Sequence, residues 1–162
     1  MALREVRLQG DPILKKPCRP VTRMTLRLSI LIDDMLETMY SQNGVGLAAP
    51  QVGVLRQIVV VDVGEEGGGT GPIIMVNPKV VKTDGEQTGP EGCLSLPGKV
   101  GQVTRPEHVV IEALDRRMNP VTIEGDGLLA RALCHEVDHL SGHMYTEIVE
   151  GPLQDAEDVE GE

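Results

Sequence analysis

The chain has 162 residues, enough for one domain with a substantial core and too few for two. Phe and Trp are absent and Tyr40 and Tyr145 are the only tyrosines, so Leu, Ile, Val and Met must build the core, and stacking platforms for single-stranded nucleic acid are excluded. A formal net charge of -10 and the lack of a visible basic docking patch oppose a nucleic-acid partner, and no apolar run approaches the length of a membrane span.

The N-terminal stretch "MALREVRLQGDP" lacks a signal-peptide core, which predicts a cytoplasmic protein. Cys18, Cys93 and Cys134 are too few and too unevenly spaced for a disulfide framework, leaving reduced thiols or a metal ligand. From Thr25 to Ser41, Leu28, Leu31, Ile32, Met35 and Met39 recur at helical spacing, with Thr25 as N-cap and "NG" just beyond the end. Gln57 to Val63 and Ile73 to Val81 are β-branched runs that predict two strands. The "GEEGGGTG" between them lacks the Lys and following helix of a phosphate-binding loop, and is read as a surface connection. Two further strands, from His108 and from Val121, flank the turn signal Met118-Asn119-Pro120.

After Gly127 a second helix runs to about Gly142. The acidic, weakly apolar segment from Glu150 predicts a disordered tail, so the domain is placed at residues 1–149 and the tail at 150–162. Hairpin-like strand succession with helices at both ends predicts an α+β fold. Mostly antiparallel strands would pack around a central C-terminal helix, with an amphipathic helix near the N-terminus.

The C-terminal helix carries "HEVDH". Positions i and i+4 share a helix face, so His135 and His139 can present imidazoles to one cation with Glu136 beside it, an arrangement suited to taking a proton from a metal-bound water. The alternative is a solvated helix whose histidines have no ligand. A catalytic centre needs a third ligand, and downstream candidates are poor: Tyr145 occupies the position where a third histidine would fall, and His143 comes two residues early. Upstream, Cys93 lies in "GPEGCLSLPG", where glycines and prolines imply a fixed irregular backbone, and a thiolate suits a transition metal. By spacing alone Cys93 reads equally well as a small buried hydrophobe.

Three stretches taken together, "GVGLAAPQ" from Gly44, "EGCLS" from Glu91 and "HEVDH" from His135, resemble the signature motifs of peptide deformylases in content, order and separation. The resemblance implies hydrolytic removal of the N-formyl group from the formylmethionine of nascent peptides, with release of formate. It implies one divalent metal, natively Fe²⁺ and replaceable by Zn²⁺, Ni²⁺ or Co²⁺, held by Cys93, His135 and His139. Glu136 would be general base and then acid, and Gln51 with the Leu94 backbone N–H would stabilise the oxyanion.

The glycines and alanines of the stretch from Gly44 would let a substrate backbone approach closely and pair strand-wise, with Val45 and Gly46 lining the entrance, although a tight small-residue turn explains them too. Leu128 and Ala132, on the helix before His135, would wall a methionine pocket, with core packing as the equal alternative. Arg105 would support the Cys93 loop or a substrate carbonyl, or else form a solvent salt bridge, and Asp138 could orient a ligand imidazole. Cys134, Tyr145 and Glu147 depart from residues common in the family. Tyr145 and Glu147 are expected to touch the helix exit and not the chemistry. The resemblance further implies a compact bacterial-type monomer whose formylated substrates emerge at the ribosome, so that proximity to it would be transient.

Overall fold

In the computed structural model, which describes residues 2–156, two helices and eight strands arise in the order α1 (Leu26–Ser41), β1 (Gly46–Ala48), β2 (Ile58–Val61), β3 (Ile73–Asp84), β4 (Gln87–Cys93), β5 (Leu96–Arg105), β6 (His108–Leu114), β7 (Pro120–Asp126), α2 (Gly127–Leu140) and β8 (Glu150–Asp155). All named strand pairs are antiparallel. Five strands form one sheet in the order β1-β2-β3-β6-β7, and β4-β5-β8 form a second. The fold is α+β as the sequence predicts. No helix among the described residues is long and apolar enough to cross a membrane.

The layering follows from the two-residue period of a strand. In β2, Val59 and Val61 join a core cluster with Leu129, Leu133 and Cys134 of α2, while Ile58 and Val60 join a second cluster with Leu31, Ile32, Met35 and Met39 of α1. The larger sheet is therefore covered by α2 on one face and α1 on the other. A strand buried on both faces has no room for polar alternation, which is why "IVVV" is continuously apolar. The predicted Thr25 cap is present: its hydroxyl accepts from the Leu28 N–H at 3.2 Å.

Several elements differ from the sequence-based expectation. "GVGLAAP" is not only a turn, since Gly46–Ala48 form β1, the edge of the five-stranded sheet, followed by a 3₁₀ turn over Ala49–Val52. The β4–β5 hairpin lies in a Gly- and Pro-rich stretch without an apolar alternation to reveal it. The expected disordered tail is corrected at Glu150–Asp155, which form β8. This strand is fully exposed and is held to β5 by backbone pairing, by a Lys99–Asp155 ion pair and by a Thr104–Glu150 hydrogen bond of 2.9 Å. The part of the predicted tail from residue 157 onward lies outside the described residues.

Candidate metal centre

Two elements meet at the site. The helix α2 places His135 and His139 one turn apart on its inner face, with relative exposures of 5% and 1%. The β4–β5 hairpin turns sharply after a register shift between Glu91 and Cys93, with Cys93 paired to Leu96, so the thiol sits at the hairpin tip. Cys93 Sγ lies 3.4 Å from His139 Nε2, and His139 Nε2 lies 3.3 Å from His135 Nε2. All three atoms fall within 4.8 Å of one another. Separations of this size are roughly those between neighbouring vertices of a tetrahedron with bonds of about 2.0–2.3 Å, as N and S ligands make to a divalent ion.

Glu91 sets the imidazole of His135. Its Oε2 accepts from His135 Nδ1 at 2.7 Å, which leaves Nε2 facing Cys93 and His139 with its lone pair. The same carboxylate accepts from Arg105 through Nε at 3.0 Å and Nη2 at 2.6 Å, and from Arg131 Nη1 at 3.0 Å. Burial pushes the Glu91 carboxyl up, but the His135 hydrogen bond and the Arg105 ion pair outweigh it and hold the group at about 2. Arg105 Nη1 also meets Asp138 Oδ2 at 2.6 Å. Asp138 is thus taken by Arg105, and the acceptor expected of it for a ligand imidazole is Glu91. Arg105 itself is buried with its nitrogens on carboxylates, so it braces the hairpin and does not face a substrate carbonyl.

Glu136, on α2, turns its carboxylate toward Gly46 of β1. It is 4% exposed, and its Oε1 has no hydrogen-bond partner among the described residues. Burial pushes its carboxyl up to about 7, His135 pulling it down and the Glu91 charge pushing it back up. Gly46 gives the carboxylate its space: a Cβ on that residue would stand 2.5 Å from Glu136 Oε2. Gln51 is 1% exposed; its Nε2 donates to Ser95 Oγ at 3.0 Å and to Cys93 Sγ at 3.4 Å, and its Oε1 accepts from the Ala48 N–H at 2.9 Å.

A cleft of about 390 Å³ opens above these groups, bounded by Gly44, Val45 and Gly46 on one side, by Cys93 and Leu94 on the other, and by Glu136. Neither Leu128 nor Ala132 lines it. Ala132 is packed in the core, so for it the packing alternative prevails, whereas Leu128 is 45% exposed with its side chain against Gly67 and belongs neither to the cleft nor to the core. Cys134 is likewise a core residue outside the ligand cluster.

The sequence reading missed the roles of Glu91 and Arg131. An arginine in the apolar "LLARALCHE", one helical turn before His135, is the signal that could have exposed both, because a buried guanidinium requires a carboxylate. Tyr145 is also closer to the chemistry than predicted: its ring centroid lies 5.9 Å from that of His135, and its hydroxyl is buried without a partner among the described residues.

An α+β fold in which one helix supplies two histidines and a carboxylate, and a hairpin tip supplies a thiol, has the make-up of a metal-centred hydrolase. Comparison with known proteins makes the class particular: the chain belongs to the polypeptide deformylase family, whose model matches residues 3–154. It is 61% identical to the peptide deformylase of Agathobacter rectalis over 155 residues, 96% of this chain and 95% of that one. Identity to the peptide deformylase of Caldanaerobacter subterraneus is 50% over 161 residues, 99% and 98% of the two chains. Among solved structures, a peptide deformylase from Legionella pneumophila superposes with a TM-score of 0.86 at 42% identity, covering 91% of this chain and 86% of that one. One from Synechococcus elongatus in complex with actinonin gives 0.85 at 40% identity, covering 91% and 79%. The chain is accordingly an enzyme of the deformylase type, and its family removes N-formyl groups from nascent peptides with the help of a metal.

Proposed function

We propose that this chain removes the formyl group from N-formylmethionyl peptides at a single divalent metal held by Cys93, His135 and His139, with Fe²⁺ as the native ion. The observation that carries the reading is the convergence of those three ligand atoms beside the buried carboxylate of Glu136. The donor set fits such an ion: the His135 tautomer is fixed by Glu91, and a thiolate with two imidazoles suits Fe²⁺, Zn²⁺, Ni²⁺ or Co²⁺. When bound, the ion supplies Lewis acidity toward water and the formyl carbonyl.

The remaining steps belong to the protein. Glu136, with its carboxyl near neutrality, accepts a proton from water entering the cleft and returns it to the departing amine nitrogen. As the formyl oxygen gains charge, Gln51 Nε2 and the Leu94 backbone N–H donate to it, Gln51 exchanging its present hold on Ser95 and Cys93. The segment Gly44–Gly46, leading into the edge strand β1, receives the substrate backbone as an added strand.

Formate release from formyl-Met-Ala-Ser by the Fe²⁺-loaded protein, kept free of oxygen, tests the reading against cleavage of internal peptide bonds. Formate without internal cleavage supports it. Internal cleavage without formate would make the chain an endopeptidase built on the same helix.

A further inference from the structure

Away from the metal centre, the segment before α1 and the connection into β2 enclose a second groove of about 450 Å³. Its floor is apolar, with Val21, Leu28 and Val54 belonging to or packed on the α1-side core. Arg23, Arg27 and Arg56 line it, and no carboxylate does. Arg19 stands alongside, bridged to Arg56 through the backbone. Sequence alone showed no basic patch because these arginines are spread over 38 positions, from 19 to 56, and only the fold collects them.

None of the four side chains makes an ion pair or hydrogen bond among the described residues, and Arg117 makes none either, whereas Arg4, Arg7, Arg105, Arg116 and Arg131 each hold a carboxylate. Asp and Glu outnumber Lys and Arg by 25 to 15, so counter-ions were the more abundant partner, yet this groove has none. The start of α1 adds to the same field. Thr25 engages the Leu28 N–H, the N–H groups of Leu26 and Arg27 have no backbone acceptor, and the first turn carries no acidic residue. Three arginines thus line a groove at the start of a 16-residue helix, and a multiply charged anion complements that charge.

We propose that this groove is a binding site for phosphate groups. Guanidinium forks match phosphate oxygens two at a time, and three of them with a helix end exceed what one carboxylate's single charge would balance. The phosphate can come from a free anion or from the backbone of an RNA strand, and the two sources differ in how binding responds to strand length and salt.

The test is a titration of isotope-labelled, Zn²⁺-loaded protein with inorganic phosphate and, separately, with a short single-stranded RNA, followed by the amide signals of Leu26 and Arg27 and the side-chain Nε signals of Arg23, Arg27 and Arg56. Saturable shifts at these positions are expected. Arg27→Ala combined with Arg56→Ala should weaken binding by about tenfold or more, because charge-assisted hydrogen bonds are lost. Lys82→Ala, which removes an exposed cation on β3, should leave it unchanged. Both variants should keep the thermal midpoint and the deformylation rate of the parent. Saturation by phosphate with RNA binding no tighter assigns the site to a free anion; tighter, salt-sensitive RNA binding lost in the double variant assigns it to a phosphodiester chain. No saturable shift with either probe, or equal weakening by Lys82→Ala, overturns the proposal.

Discussion

Glu91 Oε2 lies 2.7 Å from His135 Nδ1, and through that contact the β4–β5 hairpin and α2 fix each other's position. Glu91→Gln keeps the size of the side chain but offers an amide where four donor nitrogens from three residues need an acceptor. Arg105 and Arg131 would then lie buried without their charge partner. Losing one member of such a network is expected to lower the stability of the metal-free protein by about 3–5 kcal/mol, measured by urea unfolding. Freeing the His135 ring should also weaken metal binding by roughly 10–100-fold, measured by chelator competition. Unaltered metal affinity in the variant would remove Glu91 from any part in setting the ligand.

The same carboxylate predicts acid sensitivity. Its value falls from an ordinary 4.5 to about 2 on folding, so the stability it contributes is complete above 4.5 and is lost as the pH falls toward 2. A depression of this size corresponds to on the order of 3 kcal/mol. In urea titrations from neutral pH downward, the gap between the parent and Glu91→Gln should therefore narrow below pH 4.5. A gap that is constant across that range contradicts the assignment.

The contrast between what the chain discloses and what it conceals is one of distance along the sequence. His135, Glu136 and His139 are legible because a helix makes i and i+4 neighbours, and β2 is legible because burial on both faces leaves only apolar residues. The contacts of Glu91 reach residues 14, 40 and 44 positions away, where no periodicity reports them. The strand β8 has no buried side chain and is specified by backbone pairing to β5, so its acidic sequence reads as a tail. Cys93 lies between two readings by spacing alone, because the contact that bears on it, 3.4 Å to His139, spans 46 positions of the chain.

Gly46→Ala tests how closely β1 approaches the carboxylate of Glu136. The added methyl would meet Oε2 at 2.5 Å and the side-chain carbons at 2.8 Å, so Glu136 must shift away from the cleft. Gly46 pairs with Val61 through its backbone, and that pairing survives a methyl. The expected outcome is a fall of about 10²-fold in kcat/KM with the fold retained by circular dichroism, the size expected of a displacement near 1 Å. Near-parental activity would show that the carboxylate moves without cost.

Cys134 adjoins His135 in sequence but packs into the core on the α2 face of the sheet. Burial pushes its thiol up to about 11, so at pH 8 it is almost wholly protonated. The folded protein should resist alkylation at Cys134, and Cys134→Ala should keep full metal content. Rapid labelling of this residue in the native state, read by peptide mass analysis, would show that the helix opens there.

A pair of variants separates holding the metal from performing the hydrolysis. Glu136 is outside the Cys93–His135–His139 cluster, and burial keeps its carboxyl near 7, where it can both accept and return a proton. Glu136→Gln preserves shape and removes that capacity, so metal content should stay at the parental level while formate release falls by about 10²–10⁴-fold. Cys93→Ala removes the thiolate and leaves two imidazoles, too few to retain a catalytic cation, so metal content should collapse together with activity. Metal analysis beside the formate assay distinguishes the two residues. If Glu136→Gln also loses its metal, the carboxylate is a ligand, and the division of labour between α2 and the hairpin tip must be redrawn.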